Sequence, residues 1–252
     1  MAADRCFVDL HCHTRGSFDS ISSPASVVRA AARRGITHLA ITDHDRIDAA
    51  IEARDVAPPE LTVIVGEEIR SADCDVIGLY LSEPVPPGMS AAETIAAIHA
   101  QGGLAGVPHP FDTHRGSAAK RLDVLESIAP ELDYLESYNA RVILGGGGGA
   151  RLEIRIPELV GDANEKAAAY ARVRGLPGVA ASDAHTITEV GISYTILPGP
   201  IDDAEDLLDA LRAGPPELVR QRASYLVRVV TPVAKVVQRL RGNRRVAWTV
   251  AP

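Results

Sequence analysis

Residues 9–20 read DLHCHTRGSFDS, and this stretch decides how the rest of the chain is read. It closes an apolar run that begins at Cys6 and sets His11 and His13 two positions apart. In an extended strand that spacing puts both side chains on one face and sends the intervening Cys12 to the other, as a buried thiol. Two imidazoles on one face offer two ligand atoms to one cation, or to two adjacent ones. Late in the chain, SDAH (182–185) repeats the geometry with Asp183 and His185.

Working outward, short apolar and β-branched runs alternate with helical patterns. Strands are predicted at Cys6–His13, His38–His44, Leu61–Arg70, Asp75–Leu81, Leu104–His109, Tyr134–Asn139 and Val179–His185. Helices are predicted at Pro24–Arg34, Ile47–Arg54, Ala91–Gln101, Ala119–Ser127 and Asn164–Arg174, with further helices at Ile201–Ala213 and after Ala223. Ser23 before Pro24 makes a helix start, and Gly35 a stop. The five glycines Gly145–Gly149 read as a loop at a barrel rim. No Lys and Ser/Thr of a nucleotide-binding loop follow them. Of eight histidines, His11, His13, His44, His109 and His185 fall at or just past predicted strand ends, where βα-built folds gather their active sites. His38, His99 and His114 lack a motif and read as packing or surface residues. A single histidine is usually a hydrogen-bonded structural residue; five at strand ends beside carboxylates call for another explanation.

Five motifs in order, DLHCHTRGSFDS, ITDHD (41–45), GEEI (66–69), PHP (108–110) and SDAH, resemble those of the polymerase-and-histidinol-phosphatase (PHP) domain family, from about Val8 to Pro198. The resemblance implies an α/β fold, a distorted (β/α)7 TIM-like barrel whose mouth holds two or three divalent metal ions. It implies His11, His13, Asp19, His44, Glu68, His109, Asp183 and His185 as ligands, Glu68 bridging two metals. Glu67 competes for the bridge, because the apolar run before it sets no parity. Many family members carry a histidine where this chain has Asp75, which is a possible ligand or an ordinary strand-entry residue. The barrel is expected over residues 5–215, followed by a basic helical extension over 216–252.

Mixed imidazole and carboxylate donors suit zinc, manganese or iron better than calcium. A pair of such ions activates a bridging water as nucleophile and clamps a phosphoryl group, so phosphate-ester hydrolysis is the expected chemistry. Asp183 belongs to the catalytic set, and His109 or His185 is a candidate general acid for the leaving oxygen. Arg15, Arg115 and above all Arg141 are candidate phosphate contacts. Glu136 and Asn139 share a strand end and face either the ligands or the substrate. Asp43 and Asp45 flank His44; one orients its imidazole, or Asp45 caps the following helix.

The whole chain of 252 residues, 46% hydrophobic and 23% charged, is ordinary for a globular protein. Three scattered cysteines make no disulfide framework and, with no visible secretory signal or apolar span, lead to an expectation of a cytoplasmic protein. The net charge of −7 is unevenly spread. From Leu218 to Pro252 there are eight basic residues and no acid, which leaves 18 basic against 33 acidic, net −15, for the body. Apolar positions at Leu226, Val229, Val230, Val233, Val237 and Leu240 give this tail an amphipathic helix, interrupted by Pro232. It is expected to pack on the barrel with its charges meeting the acidic body; an anionic membrane surface and a polyanionic substrate are the alternatives.

The expected substrate is a phosphorylated small molecule, since aromatics are only 4% of the chain. A short oligonucleotide, cleaved by exonuclease action, is the alternative. From another class, the chain would be a catalytically silent metal-binding accessory module.

Overall fold

The computed structural model describes residues 5–112, 121–142, 161–224 and 227–244. Arg115, His114 and the glycine run Gly145–Gly149 lie outside the described residues.

Seven strands fall where the sequence places them: β1 (Arg5–Asp9), β2 (His38–Ile41), β3 (Thr62–Arg70), β4 (Asp75–Leu79), β5 (Leu104–Val107), β6 (Tyr134–Asn139) and β7 (Gly178–Ala181). They form one sheet with β1–β3 parallel, β4 inverted as a hairpin partner of β3, and β5–β7 parallel again. Two strands were not read from the sequence. β8 (Tyr194–Pro198) pairs antiparallel with β1, and β9 (Glu217–Val219) pairs with β8. The sheet order is β7-β6-β5-β4-β3-β2-β1-β8-β9, curled into a nearly closed barrel. Along the seam the Thr195 hydroxyl substitutes for ladder bonds, accepting from the Ala180 amide at 2.9 Å and donating to its carbonyl at 3.1 Å. Nearer the mouth, Cys12 and Ala184 bridge the first and last parallel strands.

Helices cover the outside: α1 (Pro24–Arg33), α2 (Asp48–Asp55), α3 (Ala91–His99), α4 (Leu122–Ile128), α5 (Ala163–Arg174), α6 (Ala204–Arg212) and α7 (Val227–Leu240). Their ends follow capping chemistry. Ser23 caps α1 through the Ser26 amide, and Asp162 with Glu165 makes a reciprocal box on α5, which stops at the left-handed Gly175. Buried Val27, Val28 and Ala31 seat α1 on the barrel. No helix among the described residues is long and apolar enough to cross a membrane.

The tail helix docks, but on the face opposite to the one its apolar pattern indicates. Ala234 and Gln238 are buried and Thr231 half-buried, whereas Val229, Val233, Val236 and Leu240 point outward, Leu240 being 83% exposed. Hydrogen bonding explains the choice. The Gln238 Nε2 group lies 2.6–2.8 Å from the carbonyl oxygens of Arg15, Ser17 and Ser20, and Asn243 Nδ2 donates to the Gly16 carbonyl at 2.9 Å. Those carbonyls belong to a loop with no ladder partner, so an amide side chain is the group that satisfies them. Apolar periodicity carries no information about such a contact. α7 runs on through Pro232.

Candidate metal centre

Regular pairing ends before the histidines begin. β1 stops at Asp9 and β2 at Ile41, and only single bridges, Cys12 with Ala184 and His44 with Glu68, continue beyond. The backbone there is free to aim side chains inward. Two of the candidate ligands, His109 (φ 31°) and Asp183 (φ 51°), adopt left-handed backbone that non-glycine residues rarely accept, and Asp45 (φ 54°), next to His44, does so as well. Strain of that kind persists where the surrounding structure holds a side chain in a required place.

His11 Nε2 and His13 Nε2 approach to 2.9 Å. Around them lie Glu68 Oε2, at 3.4 and 3.3 Å, and Asp183 Oδ1, at 3.6 and 3.5 Å. Glu68 also reaches His44 Nδ1 at 3.2 Å with Oε2 and His109 Nε2 at 3.3 Å with Oε1, so its two oxygens serve four imidazoles. Asp19 lies 3.7 Å from His44 Nε2 and 3.3 Å from His185 Nε2. Two groups of donors, His11–His13–Asp183 and His13–His44–His185, each hold ligand atoms within 4.8 Å of one another. The eight residues His11, His13, Asp19, His44, Glu68, His109, Asp183 and His185 thus come together in one buried cluster.

The donor set fits divalent cations. Asp19 Oδ1, His44 Nδ1 and His109 Nδ1 are buried without hydrogen-bond partners, an arrangement too costly to keep unless something positive or protic completes it. The charges respond to one another. Burial works against the Asp19 carboxylate, but His185 and His44 outweigh it and hold its pKa well below the usual range. Burial likewise works against a His13 cation, yet the carboxylates of Asp183 and Glu68 raise its pKa to about 9. His185 goes the other way: burial, then the Arg141 charge, push its pKa down to about 3.

A scaffold of buried polar groups aims these ligands. Glu136 Oε1 bonds His11 Nδ1 at 2.9 Å, while Oε2 accepts from the His109 amide at 2.6 Å and from Asn139 Nδ2 at 2.8 Å. Asn139 also donates to Asp183 Oδ2 at 3.0 Å. Both residues are about 1% exposed and hydrogen-bonded to His11, His109 and Asp183. Asp43 accepts from the Thr14 and Ser17 amides and the Ser17 hydroxyl, and Ser17 Oγ sits 2.9 Å from His13 Nδ1. A Cβ on Gly16 would stand 2.4 Å from Asp43 Oδ2, so only glycine lets the loop wrap this carboxylate. Asp43 therefore orients His13 through Ser17, and Asp45 accepts from the Arg70 amide instead of capping α2.

The Glu67–Glu68 ambiguity resolves by geometry. Glu67 points to the other face of β3, where its Oε2 accepts from the Val85 amide at 2.8 Å. Burial raises its pKa to about 8. In metal-free protein, Glu67→Gln is expected to match the wild type below about pH 4 and exceed its stability at pH 8. A carboxyl whose folded pKa is raised loses stability as pH climbs from its unfolded value towards the folded one. The gain, on the order of 1–3 kcal/mol, is read by urea unfolding at several pH values. Asp75 lies opposite Arg70 in the hairpin, buried on the same face as Glu68 and one pleat nearer the mouth; it is in neither donor group among the described residues. Arg15 is exposed and pairs with Glu52 at 2.8 Å. Arg141 is different. It is 9% exposed, its Nη2 donates to Thr231 at 2.7 Å, its Nε lies 3.6 Å from Glu189 Oε1, and its Nη1 is buried without a hydrogen-bond partner.

One site residue was missed in the sequence. Lys235 of α7 places Nζ 4.0 Å from Asp19 Oδ2 and 5.3 Å from the centre of the Phe18 ring. Nothing in helical spacing signals that a tail lysine reaches a loop more than 200 residues earlier.

Residues 9–144 match the family described as PHP domain, and residues 161–216 the PHP-associated family. An uncharacterized protein of Methanocaldococcus jannaschii is 36% identical over 143 residues, 52% of this chain and 81% of that protein. A 5′-3′ exoribonuclease of Haemophilus influenzae is 29% identical over 118 residues, 41% of this chain and 42% of that enzyme. Among solved structures, a two-domain protein from Bacteroides vulgatus containing a predicted PHP-like metal-dependent phosphoesterase superposes with a TM-score of 0.65 at 15% identity. It covers 87% of this chain and 66% of its own length, a likeness of fold.

Proposed function

The chain belongs to the PHP domain family, and from that premise we propose that its buried histidine–carboxylate centre hydrolyses phosphoric esters with divalent metal ions. The observation that carries this reading is the convergence of five imidazoles on three carboxylates with unpartnered donor atoms among them. His11, His13, Glu68 and Asp183 would hold one ion and His44, Asp19 and His185 another, with His109 on the second oxygen of Glu68; zinc, manganese and iron all suit these donors. Ions held there would supply positive charge to the phosphoryl oxygens and would acidify a water for attack at phosphorus.

The protein's own residues do the rest. Arg141, buried and paired with Glu189 and Thr231, keeps Nη1 without a hydrogen-bond partner and would offer it to a phosphoryl oxygen. Glu136 and Asn139 fix the ring of His11 and the carboxylate of Asp183, so the donors are oriented before substrate arrives. His109 and His185 are the candidate imidazoles for passing a proton to the leaving oxygen.

The test is a panel of phosphomonoesters and short oligonucleotides incubated with protein loaded separately with zinc, manganese or iron. Phosphate release is expected in at least one combination, and His11→Ala with Asp183→Ala should reduce it by more than about a thousandfold. A chain that binds metal yet releases nothing from any substrate is an accessory module.

A further inference from the structure

The basic tail does not stand apart from the site. α7 is fastened to the loop that carries His13 and Asp19 by Gln238 and Asn243, and Thr231 receives Arg141 from the other side. Beside Lys235 is a recess of about 420 Å³ lined by Phe18, Lys235, Val236, Arg239, Asn243 and Arg244. Three of these six are cations and none is an acid, and Lys235 among them also reaches Asp19 at 4.0 Å. Arg239 follows Lys235 by four residues, about 6 Å along the helix axis and on the same side.

We propose that α7 forms an anion subsite in which Lys235, Arg239 and Arg244 bind a second phosphate of the substrate, carried beyond the one held at the metal centre. The inference rests on the phosphoesterase reading above and narrows it to substrates with two or more phosphates. The net −15 body repels such molecules, so the +8 tail supplies the attraction where it is needed. A carboxylate at Asp19 that is committed to a cation no longer neutralises Lys235, leaving its ammonium to the ligand. The barrel over residues 5–215 then holds the reacting phosphate, and the extension over 216–252 selects what is attached to it. An oligonucleotide and a small bisphosphate both present this chemistry.

The test compares Lys235→Gln and the pair Arg239→Gln with Arg244→Gln against the wild type, full-length and metal-loaded. Substrates are a 5′-phosphorylated ribotrinucleotide, a sugar bisphosphate and p-nitrophenyl phosphate. For two-phosphate substrates kcat/KM is expected to fall about tenfold or more further than for p-nitrophenyl phosphate, through KM. The salt dependence should flatten as each contact is lost. A selective loss on both two-phosphate substrates identifies the second phosphate as the feature read, and a loss on the trinucleotide alone identifies a nucleic-acid strand. Equal losses on all three substrates, or none, overturn the subsite. Binding of a fluorescent, hydrolysis-resistant phosphorothioate trinucleotide to metal-loaded protein separates the two readings. If binding depends on Arg239 and Arg244 while the wild type hydrolyses nothing, the phosphoesterase reading fails and the subsite holds. If the substitutions leave binding unchanged, the subsite fails whatever the activity.

Discussion

Glu68→Gln is expected to cost the protein bound metal and to lower kcat/KM by about a thousandfold or more. The carboxylate is 2% exposed, and its two oxygens face His11, His13 and His44 on one side and His109 on the other. No other carboxylate among the described residues reaches so many imidazoles. The amide has the same volume, so packing is kept and the charge alone is lost. Several kcal/mol of electrostatic stabilisation at a phosphoryl group correspond to about three powers of ten in rate. Elemental analysis after gel filtration should show at least one metal equivalent fewer per chain. Retention of full metal content and activity would mean that Glu68 is not a ligand.

Glu136→Ala is expected to be the most damaging substitution for the fold around the site. The side chain serves three buried donors at once: the His11 ring, the His109 amide and the Asn139 amide group. Removing it strands all three, and breaking a buried charge-bearing network of this kind costs about 3–5 kcal/mol. For a chain of this size that lowers Tm by roughly 10 °C. The loss should also weaken metal binding by about 10–100-fold, because the His11 ring loses the partner that fixes its tautomer. Thermal unfolding of metal-free protein isolates the first effect and metal titration the second. A variant with wild-type Tm and wild-type metal affinity would show that His11 is held by something else.

Much of the centre was legible before any coordinates. The two-residue spacings at His11–His13 and Asp183–His185 carry the strand period directly, and the strand ends locate the mouth. Glu68 against Glu67 was not legible, because Val63, Ile64 and Val65 before them are all buried and a run buried on both faces has no alternation to count. β8 was missed for a related reason: Tyr194–Leu197 is four residues long and leads into Pro198–Gly199–Pro200, which reads as a turn. β9 is three residues long, too short to show a period. The tail misled in a more instructive way. Its valines predict a buried apolar stripe, but the energetic need lies in the unpaired carbonyls of residues 15–20, and Gln238 meets it from the opposite face. The Asp43–Ser17–His13 relay and the reach of Lys235 depend on contacts between distant segments that spacing alone does not encode.

The most direct test follows phosphate release from p-nitrophenyl phosphate as manganese is returned in measured equivalents to chelator-stripped protein. No activity is expected in the stripped protein, a rise that saturates at two or three equivalents per chain, and none at any metal level with His11→Ala and Asp183→Ala together. Hydrolysis that survives stripping, or that the double variant retains, would contradict the assignment of catalysis to this centre.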